Sequence, residues 1–592
     1  MKRIFKALLL APTCFMLTGC FSTLFILSRI NKKNSSESDE KATIEKVNAK
    51  FYINEATSLS IRTYSVSNKE DLMYVDFKEF YNNLFLSIVG NSPQLRADYP
   101  VKSSKEGSSY KFANNYGYYL IDPDKDTIYS SNSGANLFIF GYETGQQIVA
   151  NGLDTTYVNI YDEVISQERQ TVTFDLGKYN IDIIAKDDKI YIPINTFVDI
   201  FFSPSSLSIV FNGKDLYYTP YFSDDVLGST GLTTIENQFY SESPWNKKSK
   251  RSETLAKYTY NEMCFALDHF YGLKEKRGVS SFDSLFNSLG YKKDLMSTNS
   301  DTYEKALLNF ATRWLYDGHT SFTKISPFKQ GNSSYGSIIN NGLASNDYYT
   351  KLMGTMNDLT ILRSNAGKDI GLTTYGNTAI ITFDIFMKQA TSFDWNNNSY
   401  STLHIYDTFY FFKKAFNAIE NNSNITKVVF DITQNVGGML DSVPWLIAFM
   451  SRSPQLTVKN TLNKEVNTLS YYIDLNQDGY FNGYYDTYEG KYEFYVMTSN
   501  LSFSCGNYFP TVVKKQGLAK IIGETSGGGS CAVAAFTTAC GDVLSLSSNY
   551  QLGSINDYGN FVDNEDGIAV DYSFNRTNFY NDYAIYSFVN TH

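Results

Sequence analysis

Residues Val428-Val429-Phe430-Asp431-Ile432 form a mostly apolar run that passes through Thr433-Gln434-Asn435-Val436 into the pair Gly437-Gly438. A short run of this kind suits a strand buried on both faces, and such strands occur where helices cover both sides of a sheet. The surrounding patterns agree: Thr378 to Phe383 reads as a strand, and Thr408 to Ile419 and Tyr508 to Gln516 read as helices. Strands alternating with helices predict an α/β core over residues 331–592.

The whole chain has 592 residues, more than one hydrophobic core accommodates, so two or three domains are expected. Apolar spacing turns helical through Leu255 to Phe270 and again from Tyr303 to Leu315, which predicts a linker and helical subdomain over 226–330. Residues 47–225 carry short β-like runs punctuated by Gly, Asn and Asp. Within them Tyr74-Val75-Asp76-Phe77-Lys78-Glu79-Phe80-Tyr81 is echoed by Tyr191-Ile192-Pro193-Ile194-Asn195-Thr196-Phe197-Val198, a degenerate internal duplication. This N-terminal α+β module resembles the copper-amine-oxidase N-terminal-like repeat of exported bacterial proteins. With no histidine between residues 47 and 225, copper is not expected there, and the module reads as a binding or positioning unit.

Lys2, Arg3 and Lys6 precede an apolar run from Ala7 to Leu17 that ends in Leu17-Thr18-Gly19-Cys20, the layout of an export signal. The last four residues resemble the lipobox of bacterial lipoproteins. That resemblance implies a signal peptide over 1–19, lipidation of Cys20 and a polar lipidated tether over 20–46, which would place the body outside the cytoplasm on a lipid anchor in the cell membrane. The competing reading is an uncleaved anchor, since Phe21 to Leu27 prolongs the apolar stretch; it too leaves the body outside. Removal of residues 1–19 takes away three positive charges and moves the formal charge from -10 to -13. No basic block is dense enough to follow a phosphate backbone, so nucleic acid is excluded as a partner. Beyond Cys14 and Cys20 only Cys264, Cys505, Cys531 and Cys540 remain, with no Cys-x-x-Cys and no His-Glu-x-x-His, so neither a disulfide scaffold nor a zinc site is expected and the chemistry reads as metal-free and cofactor-free.

Only four histidines are available as a general base: His269, His319, His404 and His592. His269 falls inside an amphipathic helix, His404 lies ahead of a helix, and His592 is terminal. His319, in Asp317-Gly318-His319-Thr320, follows a glycine that ends a helix, where an imidazole can face a cleft. Gly437 and Gly438 after a buried strand allow backbone amides to approach a ligand, the requirement of an oxyanion hole; an ordinary tight turn is the alternative. Leu501-Ser502-Phe503-Ser504-Cys505-Gly506-Asn507 places a hydroxyl just before a helix, where a serine is otherwise a cap.

The three pieces, in this order, together with Gly523-Glu524-Thr525-Ser526-Gly527-Gly528-Gly529, resemble the tail-specific, or C-terminal-processing, serine peptidases in their tricorn-type Ser-His branch, over about residues 255 to 592. The resemblance implies a ClpP/crotonase-like catalytic core and a peptide or protein substrate. It further implies Ser504 as nucleophile, His319 as base, and the Cys505 amide with that of Gly437 or Gly438 as oxyanion donors. One branch of the family carries a lysine in the glycine-rich segment; none stands between Gly523 and Asp542 here, which favours Ser-His. For the acid, Asp563-Asn564-Glu565-Asp566-Gly567 is shifted by one residue from the family pattern, leaving Glu565, with Asp563 as alternative. Asn507 replaces the glutamate common after the nucleophile. The expectation is an exported, membrane-tethered serine endopeptidase; a catalytically inactive binding scaffold or a surface adhesin, suggested by 47 tyrosines, is the alternative. Asp474-Leu475-Asn476-Gln477-Asp478-Gly479 opens like a calcium loop but closes on Tyr485, so it reads as an Asx-rich hairpin turn.

Overall fold

The computed structural model describes residues 43–592 except 54, 89–99, 116, 132–157, 204–208, 220–230, 330–332, 388–397 and 482–486. The signal peptide, Cys20 and nearly all of the tether lie outside the described residues, as do Tyr485 and Asp486. Among the described residues no helix is long and apolar enough to cross a membrane.

The run that opens the sequence argument becomes the strand Lys427–Asp431, third in a six-stranded sheet. The order is Gly371–Tyr375, Thr378–Thr382, Lys427–Asp431, Glu493–Thr498, Lys520–Gly523 and Tyr572–Ser573. The first pair is antiparallel and every later pair is parallel. Side chains alternate between two cores, as strand geometry requires. Val428 and Phe430 join Phe412, Phe416, Trp445 and Phe509, which come from the helices Thr408–Glu420, Ser442–Ala448 and Cys505–Lys515. Val429 joins Leu359, Ile585 and Val589 from the helices Asp347–Asn365 and Asp582–Val589. The helix from Thr408 starts there because Asp407 accepts the Tyr410 amide at 3.1 Å, and the apolar spacing of Phe409, Phe412 and Phe416 seats it on the sheet. The mixed α/β class follows from this arrangement.

A second, antiparallel sheet runs Ser321–Lys324, Val543–Ile555, Gln455–Asn460, Val466–Ile473 and Val158–Gln167, with Cys531–Thr537 and Phe561–Asp563 also on Val543–Ile555. Two of its strands come from segments that periodicity had grouped elsewhere. Ser321–Lys324 follows directly on the His319 turn of the helical subdomain. Val158–Gln167 belongs in sequence to the N-terminal module, inserted between Thr127–Ser130 and Val172–Asp175, which pair with each other. Tyr161 stacks on Tyr472 at 3.8 Å and Arg169 pairs with Glu465 at 2.7 Å, so the module is strapped to the C-terminal core rather than merely preceding it.

The two echoed segments of the module both fold as a strand running into a helix: Met73–Asp76 into Phe77–Ile88, and Lys189–Pro193 into Ile194–Phe201. Their strands pair antiparallel, and Phe77, Phe197 and Phe201 pack ring on ring between the helices. The hydrophobic core they form is continuous with that of the helix Glu253–Phe270 and with Phe536 and Leu544 of the second sheet.

Candidate active site

Three adjacent parallel strands end side by side, and the loops that leave them converge: 432–438 after Lys427–Asp431, 499–504 after Glu493–Thr498, and 524–530 after Lys520–Gly523. The carboxyl ends of parallel strands are where α/β sheets bind ligands. Ser502 Oγ donates to the Ile432 carbonyl at 2.7 Å and the Phe503 amide to the Asn435 carbonyl at 3.0 Å, which ties the first two loops. The Ser504 amide donates to the Gly528 carbonyl at 2.9 Å, which ties the third. Between these anchors Ser504 is held at φ 56°, ψ −121°, a left-handed conformation costly for any residue with a Cβ. It stands at the N-cap of Cys505–Lys515, yet its side chain makes no capping hydrogen bond. The strained strand-to-helix turn leaves Ser504 partly exposed, the geometry of a nucleophile elbow.

Gly437 lies against this hydroxyl. A Cβ on Gly437, where φ is +105°, would stand 2.5 Å from Ser504 Cβ and 3.0 Å from its Oγ, so the chain must carry glycine here for the serine to fit. The Gly437 amide, however, donates to Asn435 Oδ1 at 2.9 Å and is not available to a ligand. The amides of Gly438 and Cys505 make no hydrogen bond among the described residues. The two residues adjoin, since Cys505 Sγ donates to the Gly438 carbonyl at 3.2 Å. Of the two glycines expected to compete for the oxyanion role, Gly438 therefore keeps the free donor and Gly437 makes room. Cys505 N–H also opens an 11-residue helix, whose positive end favours a developing negative charge.

His319 follows a π-turn, Ala311–Leu315, and Gly318 at φ +92°. Asp317 Oδ1 accepts the amides of His319 and Thr320 at 3.0 and 2.6 Å, and Ser545 Oγ donates to the His319 carbonyl at 2.7 Å. The imidazole is buried against the Phe503 ring, centroids 4.7 Å apart, and its Nε2 has no hydrogen-bond partner. Burial holds its pKa down at about 4, against a smaller upward pull from Asp317, so the ring is neutral at pH 7. No hydrogen bond joins it to Ser504 or to Glu565 in this arrangement; the ring it packs on belongs to Phe503, the residue before Ser504.

Glu565 faces a cavity of about 540 Å³ that Asp317, Tyr348, Lys276 and Thr525 also line. Its Oε2 accepts the Ser530 amide at 2.6 Å and the Ser530 hydroxyl at 2.9 Å. Burial, the largest effect, lifts its pKa to about 7; Ser530 and Lys276 oppose the rise and Asp317 adds to it. The alternative acid, Asp563, is occupied otherwise: its Oδ1 accepts from Lys276 Nζ and from the Glu565 amide. Asn564 turns the other way, its Nδ2 donating to Thr511 Oγ1. Asn507 binds the Asn564 carbonyl through Nδ2 and the Ser526 hydroxyl through Oδ1, so it fastens two loops to the helix.

Phe503, Ser530, Tyr348 and Asn435 form part of this neighbourhood and were not singled out by the sequence as site residues. Asn435 alone had a signal, its place two residues ahead of Gly437. His404 ends a short helix with Nδ1 on the Ser401 carbonyl, and His269 bonds the Phe265 carbonyl within its helix. Asp474 accepts the amides of Gln477, Asp478 and Gly479, which makes the loop an Asx turn held by its own backbone.

Residues 391–573, a little under a third of the chain, match the model of peptidase family S41. Gly437, Gly438, Ser504, Cys505 and Glu565 fall inside the match and His319 outside it. No curated protein matches the chain in sequence. Among solved structures, the photosystem II D1 C-terminal processing protease shares 15% identity over 35% of this chain and 45% of that one, at a TM-score of 0.25. This chain thus spans less than half of it. Mature CPAF complexed with lactacystin shares 10% identity over 57% and 98%, at 0.36. A lipoprotein from Streptococcus agalactiae shares 10% over 57% and 96%, at 0.34. With TM-scores below 0.5 these superpositions place no residue. Over residues 391–573 the chain is thus similar to peptidase family S41.

Proposed function

We propose that the chain is an exported serine endopeptidase, tethered to the membrane by a lipid on Cys20, that cleaves peptide or protein chains through an acyl-enzyme. Ser504 Oγ attacks the carbonyl carbon and His319 takes its proton. The tetrahedral oxyanion falls to the amides of Gly438 and Cys505, and His319 returns the proton to the leaving amine. Glu565, ionised, would hold the imidazolium that forms. Water repeats the sequence on the acyl-enzyme and releases Ser504.

The observation that carries the reading is the left-handed Ser504, with its hydroxyl against Gly437 and two unpartnered amides beside it. A structural cap would need neither the strain nor the glycine. The reaction requires His319 Nε2 to reach Ser504 Oγ, so the imidazole and the Phe503 ring must shift when a substrate enters; apo catalytic hydrogen bonds commonly tighten only in the complex. The absence of that bond also favours a second reading, a peptidase fold retained as a binding scaffold. The two part in one experiment: turnover of a quenched-fluorescent peptide library by the full chain, lost by 10³-fold or more in Ser504→Ala and in His319→Ala, supports the peptidase. A folded chain with no turnover on any library supports the scaffold. Mass analysis of the membrane-extracted chain tests the tether, since a diacylglyceryl mass on an N-terminal Cys20 is required.

A further inference from the structure

The glycine-rich segment after the third strand has no lysine, and what it delivers instead is Ser530. The path is narrow. At Gly528, φ +86°, a Cβ would stand 1.9 Å from the Glu565 carbonyl oxygen, and at Gly529, φ +85°, a Cβ would stand 2.4 Å from the Phe503 ring. Only glycines let the backbone pass between the acid's own main chain and the phenyl group that packs on His319. Ser530, fully buried, then turns both its amide and its hydroxyl onto one oxygen, Glu565 Oε2.

We infer that Ser530 is a positioning residue that holds Glu565 ionised and fixes which carboxylate oxygen is left for the imidazole; this rests on Glu565 being the acid of the proposed mechanism. Two donors on Oε2 lock the carboxylate rotamer, so the remaining oxygen, Oε1, is the one free to meet a cation. Both donors bond the carboxylate more strongly than the neutral acid and so favour the charged form, in a place where burial disfavours it. The other groups around the carboxylate do not substitute for them. Asp317 and Asp566 are acidic, the Tyr348 hydroxyl is buried and unpartnered, and the Cys531 thiol is buried, its pKa pushed up by burial. Lys276 is shared between Asp563 and Asp566, and Arg277, also on the cavity wall, donates to the Trp314 carbonyl.

The test is the rate at which a fluorophosphonate labels Ser504 in the full chain, followed from pH 5 to 9. Ser530→Ala removes the hydroxyl and keeps the amide. Its acidic limb should move up by about one to two pH units, the worth of one hydrogen bond to a charge. Labelling at pH 6 should fall by about tenfold or more and meet the parent rate near pH 9. Ser530→Thr, which retains the hydroxyl, should return the limb toward the parent. Should Ser530→Ala fail to fold, Ser530→Cys, nearly the same size with a weaker donor, must move the limb in the same direction. An unmoved limb, or an equal loss at every pH, overturns the inference. Glu565→Gln separates this from the mechanism. If it abolishes the limb while Ser530→Ala leaves it in place, only the role of Ser530 falls; if it keeps the parent's rate and limb, Glu565 is not the acid.

Discussion

Replacing Gly437 by alanine strikes the contact between the glycine loop and Ser504 and leaves every proposed catalytic group in the chain. The new Cβ would lie 2.5 Å from Ser504 Cβ, 2.9 Å from the Phe503 carbonyl oxygen and 3.0 Å from Ser504 Oγ. Ordinary carbon contacts begin near 3.5 Å, so the serine must retreat by about 1 Å, and a displacement of that size costs about 10²-fold in rate. The left-handed φ of +105° adds a further stability cost of about 1–2 kcal/mol. Gly559→Ala separates the two effects, since Gly559 also has a positive φ, +80°, but a Cβ there meets nothing within 4 Å. The assay is the second-order rate of fluorophosphonate labelling at pH 8, with the thermal midpoint measured on the same preparations. Gly437→Ala should label about 10²-fold more slowly, while Gly559→Ala loses stability and labels at the parent rate. Gly437→Ala that remains folded and labels within threefold of the parent would show that Ser504 does not rely on this approach.

Asp199 of Ile194–Phe201 and Glu262 of Glu253–Phe270 are buried together where the N-terminal module meets the helical subdomain; burial lifts the Asp199 pKa to about 6 and Glu262 higher. Because the folded values are raised, their contribution is complete below the unfolded values and is lost as pH rises through 6 and beyond. The parent should therefore lose more thermal stability between pH 5 and 9 than Glu262→Gln, which keeps a hydrogen-bonding partner without the charge. Cys505→Ala removes the thiol's bond to the Gly438 carbonyl and its side-chain interaction with Ser504, and keeps the backbone amide. Burial pushes that thiol up to about 12, so the variant should label nearly as the parent does, with the same response to peroxide measured by residual labelling. Asn507→Asp turns a donor to the Asn564 carbonyl into a carboxylate facing it, and urea unfolding should register a loss of about 1–3 kcal/mol.

The parts of this account that were legible in the sequence are those whose chemistry is local. A strand apolar on both faces announces a covered sheet, and paired glycines before a serine-led helix announce a close backbone approach; both occur as read. Periodicity shows short β-like runs over residues 47–225, but neither the strand Val158–Gln167 by its bounds nor the sheet that receives it, because the register partners Val466–Ile473 lie some 300 residues away and pairing leaves no mark in the strand itself. The same limit applies to the proposed acid. Asp563, Asn564 and Glu565 are consecutive, and only the folded loop turns Asn564 onto Thr511 and Glu565 into the cavity. Which of the Gly437 and Gly438 amides stays free depends on a side chain, Asn435, whose use of the first amide depends on a turn closing over two residues. Ser530 carried no signal beyond following three glycines.

The most direct test of the central claim is the intact mass of the full chain after exposure to a fluorophosphonate, with the adduct mapped by proteolysis. An activated serine gives one adduct per chain, on Ser504, absent from Ser504→Ala and from His319→Ala. A folded chain that takes up no adduct, or one that labels equally well without His319, would contradict it.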